Sequence, residues 1–115
     1  RKGDSMKREF IMMPTFDKQW KSMNLTDEDL KTLQQQLLIN PQAGAVMQGT
    51  GGLRKLRFAF PGQGKSGSSR VLYVDFVIAE KIYLIFAYPK SEKDNLSKEE
   101  RNNIKKLIER LEKTL

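Results

Sequence analysis

Apolar residues recur with helical spacing in the first third of the chain and with strand spacing in the middle. Residues 9–13 form a short apolar run that stops at Pro14, which is typical of an edge strand because proline cannot donate to a ladder. Two helical segments follow, each with an apolar stripe at spacings of three and four: Phe16, Trp20 and Met23 in the first, and Leu30, Leu33 and Leu37 in the second. The pattern predicts a strand followed by a helical hairpin.

The predicted hairpin also carries start and stop signals. Thr15 is a suitable N-cap for the first helix, and Thr26 with Asp29 matches a capping box for the second. Asn40–Pro41 ends the second helix, because the residue before a proline avoids the helical conformation.

Strand periodicity begins after a stretch of small residues and glycines at 42–52. Residues 53–60 alternate, with Leu56, Phe58 and Phe60 on one side and Lys55, Arg57 and Ala59 on the other. Residues 70–78 and 82–88 are apolar at both parities, as expected of central strands that are covered on each face, and residues 79–81 suit a tight hairpin. Three consecutive strands predict an antiparallel meander.

The C-terminal segment predicts a helix that packs on this sheet. Ser97 and Glu100 form a second capping box. An apolar stripe follows at helical spacing: Ile104, Leu107, Ile108, Leu111 and Leu115. The expected fold is α+β, a small antiparallel meander with an N-terminal helical hairpin and a C-terminal helix packed on it. We expect one domain over residues 6–115, with residues 1–5 outside it as a cloning remnant or a disordered leader.

The composition excludes several kinds of chemistry. The chain has no cysteine and no histidine. Disulfides and thiolate metal sites are therefore excluded, and the cytoplasm is the expected compartment. The usual near-neutral proton carrier and every Ser–His or Cys–His nucleophile pair are also excluded. No apolar segment resembles a signal peptide or a membrane span, and the apolar run at residues 10–13 is too short for either. We expect no metal and no cofactor, so any reaction has to use Lys, Arg, Tyr or carboxylates.

Positive charge is concentrated in the middle of the chain. The net charge is +7, and no acidic residue occurs between Asp29 and Asp75. Six cations fall in that stretch: Lys31, Arg54, Lys55, Arg57, Lys65 and Arg70. This distribution favours a polyanionic partner, nucleic acid first, whose phosphates the cations neutralise with release of counterions. The alternative is a surface that only keeps the protein in solution.

The cations on the predicted strands are the strongest candidates for a binding site. Alternation places Lys55 and Arg57 on the face of Leu53, where core packing does not explain them. Further candidates lie on the neighbouring strands and loops: Arg54, Lys65, Arg70, Tyr73, Tyr88, Lys90 and Lys93. The two tyrosines have an alternative role as half-buried packing residues with a hydrated hydroxyl.

A glycine-rich loop between the first two strands of the meander matches nucleotide-binding motifs only in part. Gly62, Gly64 and Gly67 have the G-x-G-x-x-G spacing, but the loop joins two strands instead of a strand and a helix. Residues 64–66 resemble the end of a phosphate-binding loop, yet Ala59 stands where its first glycine is required. We interpret the loop as a basic connection beside the sheet.

Several short motifs occur in a characteristic order. Asn40–Pro41 and Gly44 precede the segment G-T-G-G-L-R-K-L-R at residues 49–57. The series continues with Gly64–Lys65, R-V-L-Y at residues 70–73, Y-P-K-S-E-K at residues 88–93, and Leu96–Ser97 with Glu100. In this order and spacing, the motifs resemble the HigB branch of the RelE/ParE superfamily of toxins from type II toxin–antitoxin systems. The resemblance covers nearly the whole chain from Met6.

The resemblance implies a fold, an activity and partners. Toxins of this kind are compact sheets with a cationic concave face. They enter the ribosomal A site and cleave mRNA there as mRNA interferases, without a metal, through attack of the upstream 2′-hydroxyl on the scissile phosphate. The expected partners are a cognate antitoxin protein and the ribosome with its mRNA and ribosomal RNA.

The resemblance also assigns roles to individual residues. Lys55 and Arg57 match the basic pair of the second strand, Arg70 matches the arginine that opens the third strand, and Lys90 matches the basic residue after the fourth. Lys65 and Lys93 are less specific additions, and Arg54 and Tyr73 are expected RNA contacts. The chain lacks the C-terminal catalytic tyrosine of RelE-type members and the Glu/His pair of others. The general base and acid therefore stay open between Tyr88 and a lysine whose pKa is lowered by neighbouring cations.

Two other functions are compatible with the sequence. One is a ParE-like inhibitor of DNA gyrase, and the other is a non-catalytic module that binds nucleic acid. The basic strand residues favour the endonuclease, because an inhibitor that binds a protein has no need of aligned phosphate ligands. A reader of DNA bases would carry its cations on a recognition helix.

Overall fold

A computed structural model describes residues 7–59, 68–91 and 95–115 of the chain. These residues form five strands and three helices: β1 (Glu9–Met12), α1 (Pro14–Ser22), α2 (Asp27–Ile39), β2 (Ala45–Val46), β3 (Arg54–Phe58), β4 (Ser69–Phe76), β5 (Lys81–Pro89) and α3 (Lys98–Lys113). The predicted α+β fold and the order of its helices are confirmed. The two-residue β2 was not predicted, and Phe60, expected in the strand at residues 53–60, lies outside the described residues.

The strands form one mixed sheet in the order β1-β5-β4-β3-β2. The predicted antiparallel meander is present as β3, β4 and β5. The predicted edge strand is β1, and it pairs parallel to β5, with Phe10 opposite Ile82 and Met12 opposite Leu84. The sheet as a whole is therefore mixed, and the direction of β1 was not predicted. The amide of Met13 extends this pairing with a 2.9 Å hydrogen bond to the Leu84 carbonyl. The direction of a strand pair depends on the path of the chain between the strands, which alternation within one strand does not encode.

Helices cover both faces of the sheet. On one side, Phe16 and Trp20 of α1 and Leu33 and Leu37 of α2 are buried against strand residues, and we call this side the α1–α2 face. Its strand residues include Phe58, Val71, Tyr73, Leu84 and Ala87. On the other side, Ile104 and Ile108 of α3 are buried against a second set of strand residues, and we call this side the α3 face. Its strand residues include Leu72, Val74, Tyr83, Ile85 and Tyr88, together with Leu53. The central strands are thus buried on both sides, as their apolar composition predicts.

The helix ends follow from their first residues. Both predicted capping boxes are present: Thr26 with Asp29 opens α2, and Ser97 with Glu100 opens α3. The prediction that Thr15 caps α1 was wrong. Helix α1 begins at Pro14 with Met13 in the N-cap position and no side-chain cap. Proline is favoured at the first helical position because its missing N–H would be unpaired there and its φ is already helical.

A buried ion pair ties the start of β1 to β4. The guanidinium of Arg8 donates to both carboxylate oxygens of Asp75, at 2.7 Å from Nε and 3.2 Å from Nη2. The two side chains are only 6% and 1% exposed. The hydrogen bond that Arg8 donates to Asp75 is the main reason that the pKa of Arg8 is raised above its ordinary value. Within the described residues, none of the helices is both long and apolar enough to span a membrane.

Candidate nucleic-acid interface

Three of the predicted site residues form one row across the meander. Arg57 on β3 lies directly opposite Arg70 on β4, and Arg70 lies directly opposite Tyr88 on β5. Residues that oppose each other across paired strands point to the same side of the sheet. We call these three residues the cationic row. Neighbouring strands are about 4.8 Å apart, so the row spans roughly 10 Å.

The cationic row belongs to the α3 face of the sheet. Tyr88 packs in the buried cluster of that face. Arg70 is two residues before Leu72, which lies in the same cluster, and alternation therefore directs both to one side. Lys55 is opposite Leu72 in the ladder, so it lies on the same face as the row. It is two residues before Arg57 on β3. Lys55, Arg57, Arg70 and Tyr88 are thus brought together, as the sequence predicted.

The row differs in exposure along its length. Arg57 is exposed at one end, whereas Arg70 in the centre is 9% exposed and Tyr88 is 7% exposed. Opposing like charges in a ladder repel each other, and a phosphate placed over them would relieve the repulsion. The guanidinium group of Arg57 at the exposed end can therefore bind an anion.

Lys90 lies at the same end of the sheet as the row. It follows β5 directly, and its amide donates a 3.3 Å hydrogen bond to the carbonyl of Ser68, two residues before Arg70. Its side chain is exposed. Two further predicted contacts, Lys65 and Lys93, lie outside the described residues.

Arg54 is adjacent to Lys55 in sequence but is held elsewhere. It opposes Tyr73 in the ladder and therefore lies on the α1–α2 face. Its guanidinium Nη1 donates to the carbonyls of Gly44 at 2.8 Å and of Gln42 at 3.3 Å. These hydrogen bonds fix the segment before β2. The structure does not bring Arg54 to the cationic row, so we leave it out of the site.

Tyr73 is a core residue, and its prediction as an RNA contact requires correction. Its side chain is 0% exposed, so it cannot touch RNA in this fold. Its hydroxyl donates to the Pro41 carbonyl at 2.8 Å and accepts from the Gly44 amide at 2.9 Å. Burial raises the pKa of this hydroxyl, an effect that the Gly44 hydrogen bond and the charge of Arg54 oppose. The alternative assignment of Tyr73 as a packing residue is confirmed, but the residue is fully buried instead of half-buried and its hydroxyl bonds to the backbone.

A cavity of about 290 Å³ lies on the α3 face beside the row. Its lining comes from α1, the central strands, the segment before α3 and the first turns of α3: Gln19, Leu72, Phe86, Tyr88, Leu96, Glu100, Asn103 and Ile104. Apart from Tyr88, none of these residues was predicted to belong to the site. They come from segments that are distant in the chain, and no local motif marks them. Within residues 7–59, 68–91 and 95–115, no group of three or more acidic side chains could hold a metal ion.

Comparison with protein families gives one match for nearly the whole chain. The family model described as the RelE toxin of the RelE/RelB toxin–antitoxin system matches residues 8–114. The match includes the cationic row and every strand and helix described above. It does not specify a branch within the superfamily, so the HigB branch stays a prediction.

Proposed function

The chain belongs to the RelE toxin family, the toxin component of RelE/RelB toxin–antitoxin systems, and from this premise we propose that it cleaves messenger RNA in the ribosomal A site. The family also implies an antitoxin protein as a partner. The observation that carries the proposal is the ladder register that aligns Arg57, Arg70 and Tyr88 on one face of the sheet. A toxin that acts only by binding another protein does not need donors aligned in this way.

The proposed reaction is an attack by the upstream 2′-hydroxyl of the RNA on the adjacent phosphorus. The bond from this oxygen to phosphorus forms as the bond from phosphorus to the 5′-oxygen breaks, which leaves a 2′,3′-cyclic phosphate and a 5′-hydroxyl. Negative charge grows on the phosphate oxygens in the transition state. Arg57 and Arg70 stabilise this charge with fixed donors, and Lys55 and Lys90 add positive charge at the two sides of the row.

Two proton transfers accompany the reaction. One removes the proton of the 2′-hydroxyl, and the other supplies a proton to the leaving 5′-oxygen. No histidine is available, so the candidates are the hydroxyl of Tyr88, whose oxygen is buried beside the row, and the amino groups of Lys55 and Lys90. We assign one of the two transfers to Tyr88, because it is the only one of the three that lies in the row itself.

The size of the row supports dependence on the ribosome. A row of roughly 10 Å spans about one or two phosphates of an extended RNA strand. It can neutralise the scissile phosphate, but in-line attack also requires that the flanking nucleotides are held in a defined geometry. The ribosome supplies that geometry when it holds a codon in the A site.

The first test is primer extension on mRNA from an in vitro translation reaction that receives the purified protein. One arm contains ribosomes and the other does not. Arg70→Ala and Lys90→Ala remove predicted phosphate contacts. Lys31→Ala is the matched control, because it removes the same charge from an exposed position on α2, on the opposite side of the sheet. Circular dichroism establishes that each variant is folded.

We expect new cleavage ends only in the ribosome arm, and we expect Arg70→Ala and Lys90→Ala to lose them while Lys31→Ala retains them. In cells, the same two variants should lose growth inhibition. Cleavage ends that persist in folded Arg70→Ala and Lys90→Ala would refute the proposed site. Absence of cleavage by the wild-type protein in both arms would refute the endonuclease and favour inhibition of gyrase or a non-catalytic role.

A further inference from the structure

The cavity beside the cationic row has the chemistry of a site for one planar ring. Its floor consists of Leu72 on β4 and Phe86 on β5, which lie opposite each other in the ladder. Tyr88 forms the side nearest the row, and Leu96 and Ile104 form the side towards α3. The polar groups of Gln19, Glu100 and Asn103 complete the lining. An apolar and aromatic floor with a few amides is typical of small-ligand sites.

The cavity is continuous with the proposed reaction centre through Tyr88. Tyr88 lines the cavity and is also the residue opposite Arg70 in the row. Arg70 and Leu72 are two residues apart on β4, which is about 7 Å along a strand. This is close to the distance between successive phosphates of an extended nucleotide chain. A nucleotide with its phosphate over the row would therefore have its base within reach of the cavity.

We propose that this cavity receives an unstacked base of the mRNA next to the cleaved phosphate, and that Asn103 reads the edge of that base. The inference rests on the proposed function, and it identifies Asn103 as the residue that gives the cleavage reaction a preference for one base. Single-stranded RNA is recognised by bases that are splayed out, stacked on aromatic rings and hydrogen-bonded along their edges. Phe86 and Tyr88 supply the aromatic surface, and the amide of Asn103 supplies one donor and one acceptor side by side.

Two other polar residues of the cavity each use a side-chain oxygen in a structural hydrogen bond. The Oε1 atom of Gln19 accepts from the amide of Ala87 at 2.8 Å, beyond the point where β1 stops pairing with β5. A carboxylate oxygen of Glu100 accepts from the Ser97 amide at 2.8 Å in the capping box of α3. The side chain of Asn103 makes no hydrogen bond to any residue in the described ranges 7–59, 68–91 and 95–115, and it lies on the exposed side of α3 next to the cavity. Asn103 is therefore a polar residue of the lining whose whole side-chain amide is available to a ligand.

The first experiment measures binding without cleavage. Nuclear magnetic resonance titrations of the whole protein use the four nucleoside 5′-monophosphates, with ribose 5-phosphate as the probe that has the phosphate but no base. We expect the nucleotides to shift the resonances of Asn103 and Phe86, and ribose 5-phosphate to leave both unchanged. The Kd values of the four nucleotides should differ by about tenfold between the best and the worst base, as for one good amide-to-base pair.

The matched variants are Asn103→Ala and Asn102→Ala. Both positions are exposed on α3, but Asn102 does not line the cavity. Alanine is favourable in a helix, so both variants should fold. Asn103→Ala should reduce the tenfold spread of Kd values to about twofold or less, whereas Asn102→Ala should retain it. In the ribosome assay, the Asn103→Ala protein should cleave mRNA with smaller differences between the four bases at one codon position. The Asn102→Ala protein should keep the wild-type base preference.

Two results would overturn the inference. The first is equal binding of all four nucleotides with no shift at Asn103. The second is a cleavage profile of Asn103→Ala that matches the wild type. If the antitoxin also fails to neutralise that variant, the cavity holds a side chain of a protein partner instead of a base. If the wild-type protein cleaves no RNA, the proposed function fails, and the nucleotide titration still decides whether the cavity binds a base.

Discussion

Arg57 and Arg70 are directly opposing residues in the antiparallel ladder between β3 and β4. Two cations in such positions repel each other, whereas most cross-strand pairs stabilise a sheet. The burial of Arg70 at 9% exposure increases the effect, because water screens the pair less there. Like charges in opposing positions of a ladder are more typical of a site that binds an anion than of a position that only stabilises the sheet.

The variant Arg57→Gln should therefore be more stable and less active. Removing the repulsion should raise the free energy of unfolding by about 0.2–1 kcal/mol. Losing one donor at the phosphate should lower the cleavage rate by about 10²- to 10³-fold. Urea unfolding and single-turnover cleavage on ribosomes measure the two effects. An Arg57→Gln protein that is both less stable and fully active would contradict the role of the pair.

Removal of the Tyr88 hydroxyl tests its assigned part in proton transfer. The Tyr88 ring is buried at 7% exposure on the α3 face, so Tyr88→Phe keeps the packing and the cavity wall. The turnover rate kcat should fall by about 10²- to 10⁴-fold, the range for loss of a general acid or base. KM should change little, because the hydroxyl is not a phosphate ligand in the proposed site. An unchanged kcat would transfer the role to Lys55 or Lys90.

Tyr73 should make stability depend on pH in the alkaline range. Burial raises the pKa of its hydroxyl above the ordinary value of 10.0. The folded state then holds this proton more tightly than the unfolded state, so the stabilisation is fully present below pH 10.0 and is lost as the pH rises through the folded pKa. Within that window the slope should approach about 1.4 kcal/mol per pH unit. Urea unfolding of the wild type and of Tyr73→Phe between neutral and alkaline pH should show this difference in slope.

At neutral pH, Tyr73→Phe should cost about 1–3 kcal/mol, because the Gly44 amide and the Pro41 carbonyl lose their partner. Tyr83→Phe is the matched control, since the Tyr83 hydroxyl makes no hydrogen bond within the described part of the chain. Equal stability of the two variants at neutral pH, or equal slopes above pH 10.0, would contradict the role assigned to Tyr73.

The ion pair of Arg8 and Asp75 should affect stability and not cleavage. Arg8→Met leaves a carboxylate that is 1% exposed without its partner, which should cost about 3–5 kcal/mol. The double variant with Asp75→Leu should recover much of that loss, because apolar residues can replace a buried pair. Asp75 is five residues from Arg70, about 16 Å along β4, so the double variant should cleave at the wild-type rate. A double variant that is less stable than Arg8→Met alone would refute this account of the pair.

The candidate site was predictable where strand alternation applied. The sequence placed Lys55 and Arg57 on one face, and the ladder confirms their position beside Arg70 and Tyr88. Alternation does not state which face remains open, and for this reason Arg54 and Tyr73 were expected to contact RNA. Both lie on the α1–α2 face, where Arg54 donates to two backbone carbonyls and Tyr73 is fully buried. The cavity was not predictable, because its lining comes from α1, β4, β5 and α3.

By itself, the sequence determined the local elements, the concentration of cations on two strands and the resemblance to the RelE/ParE superfamily. These properties depend on neighbours in the chain: the spacing of apolar residues, the Thr26 and Ser97 capping boxes, and the alternation of β3. Only the tertiary structure decided that β1 runs parallel to β5 and that Asn103 lies at a cavity beside Tyr88. Strand direction, burial and the meeting of distant residues depend on contacts between segments far apart in the chain, and no short pattern encodes such contacts.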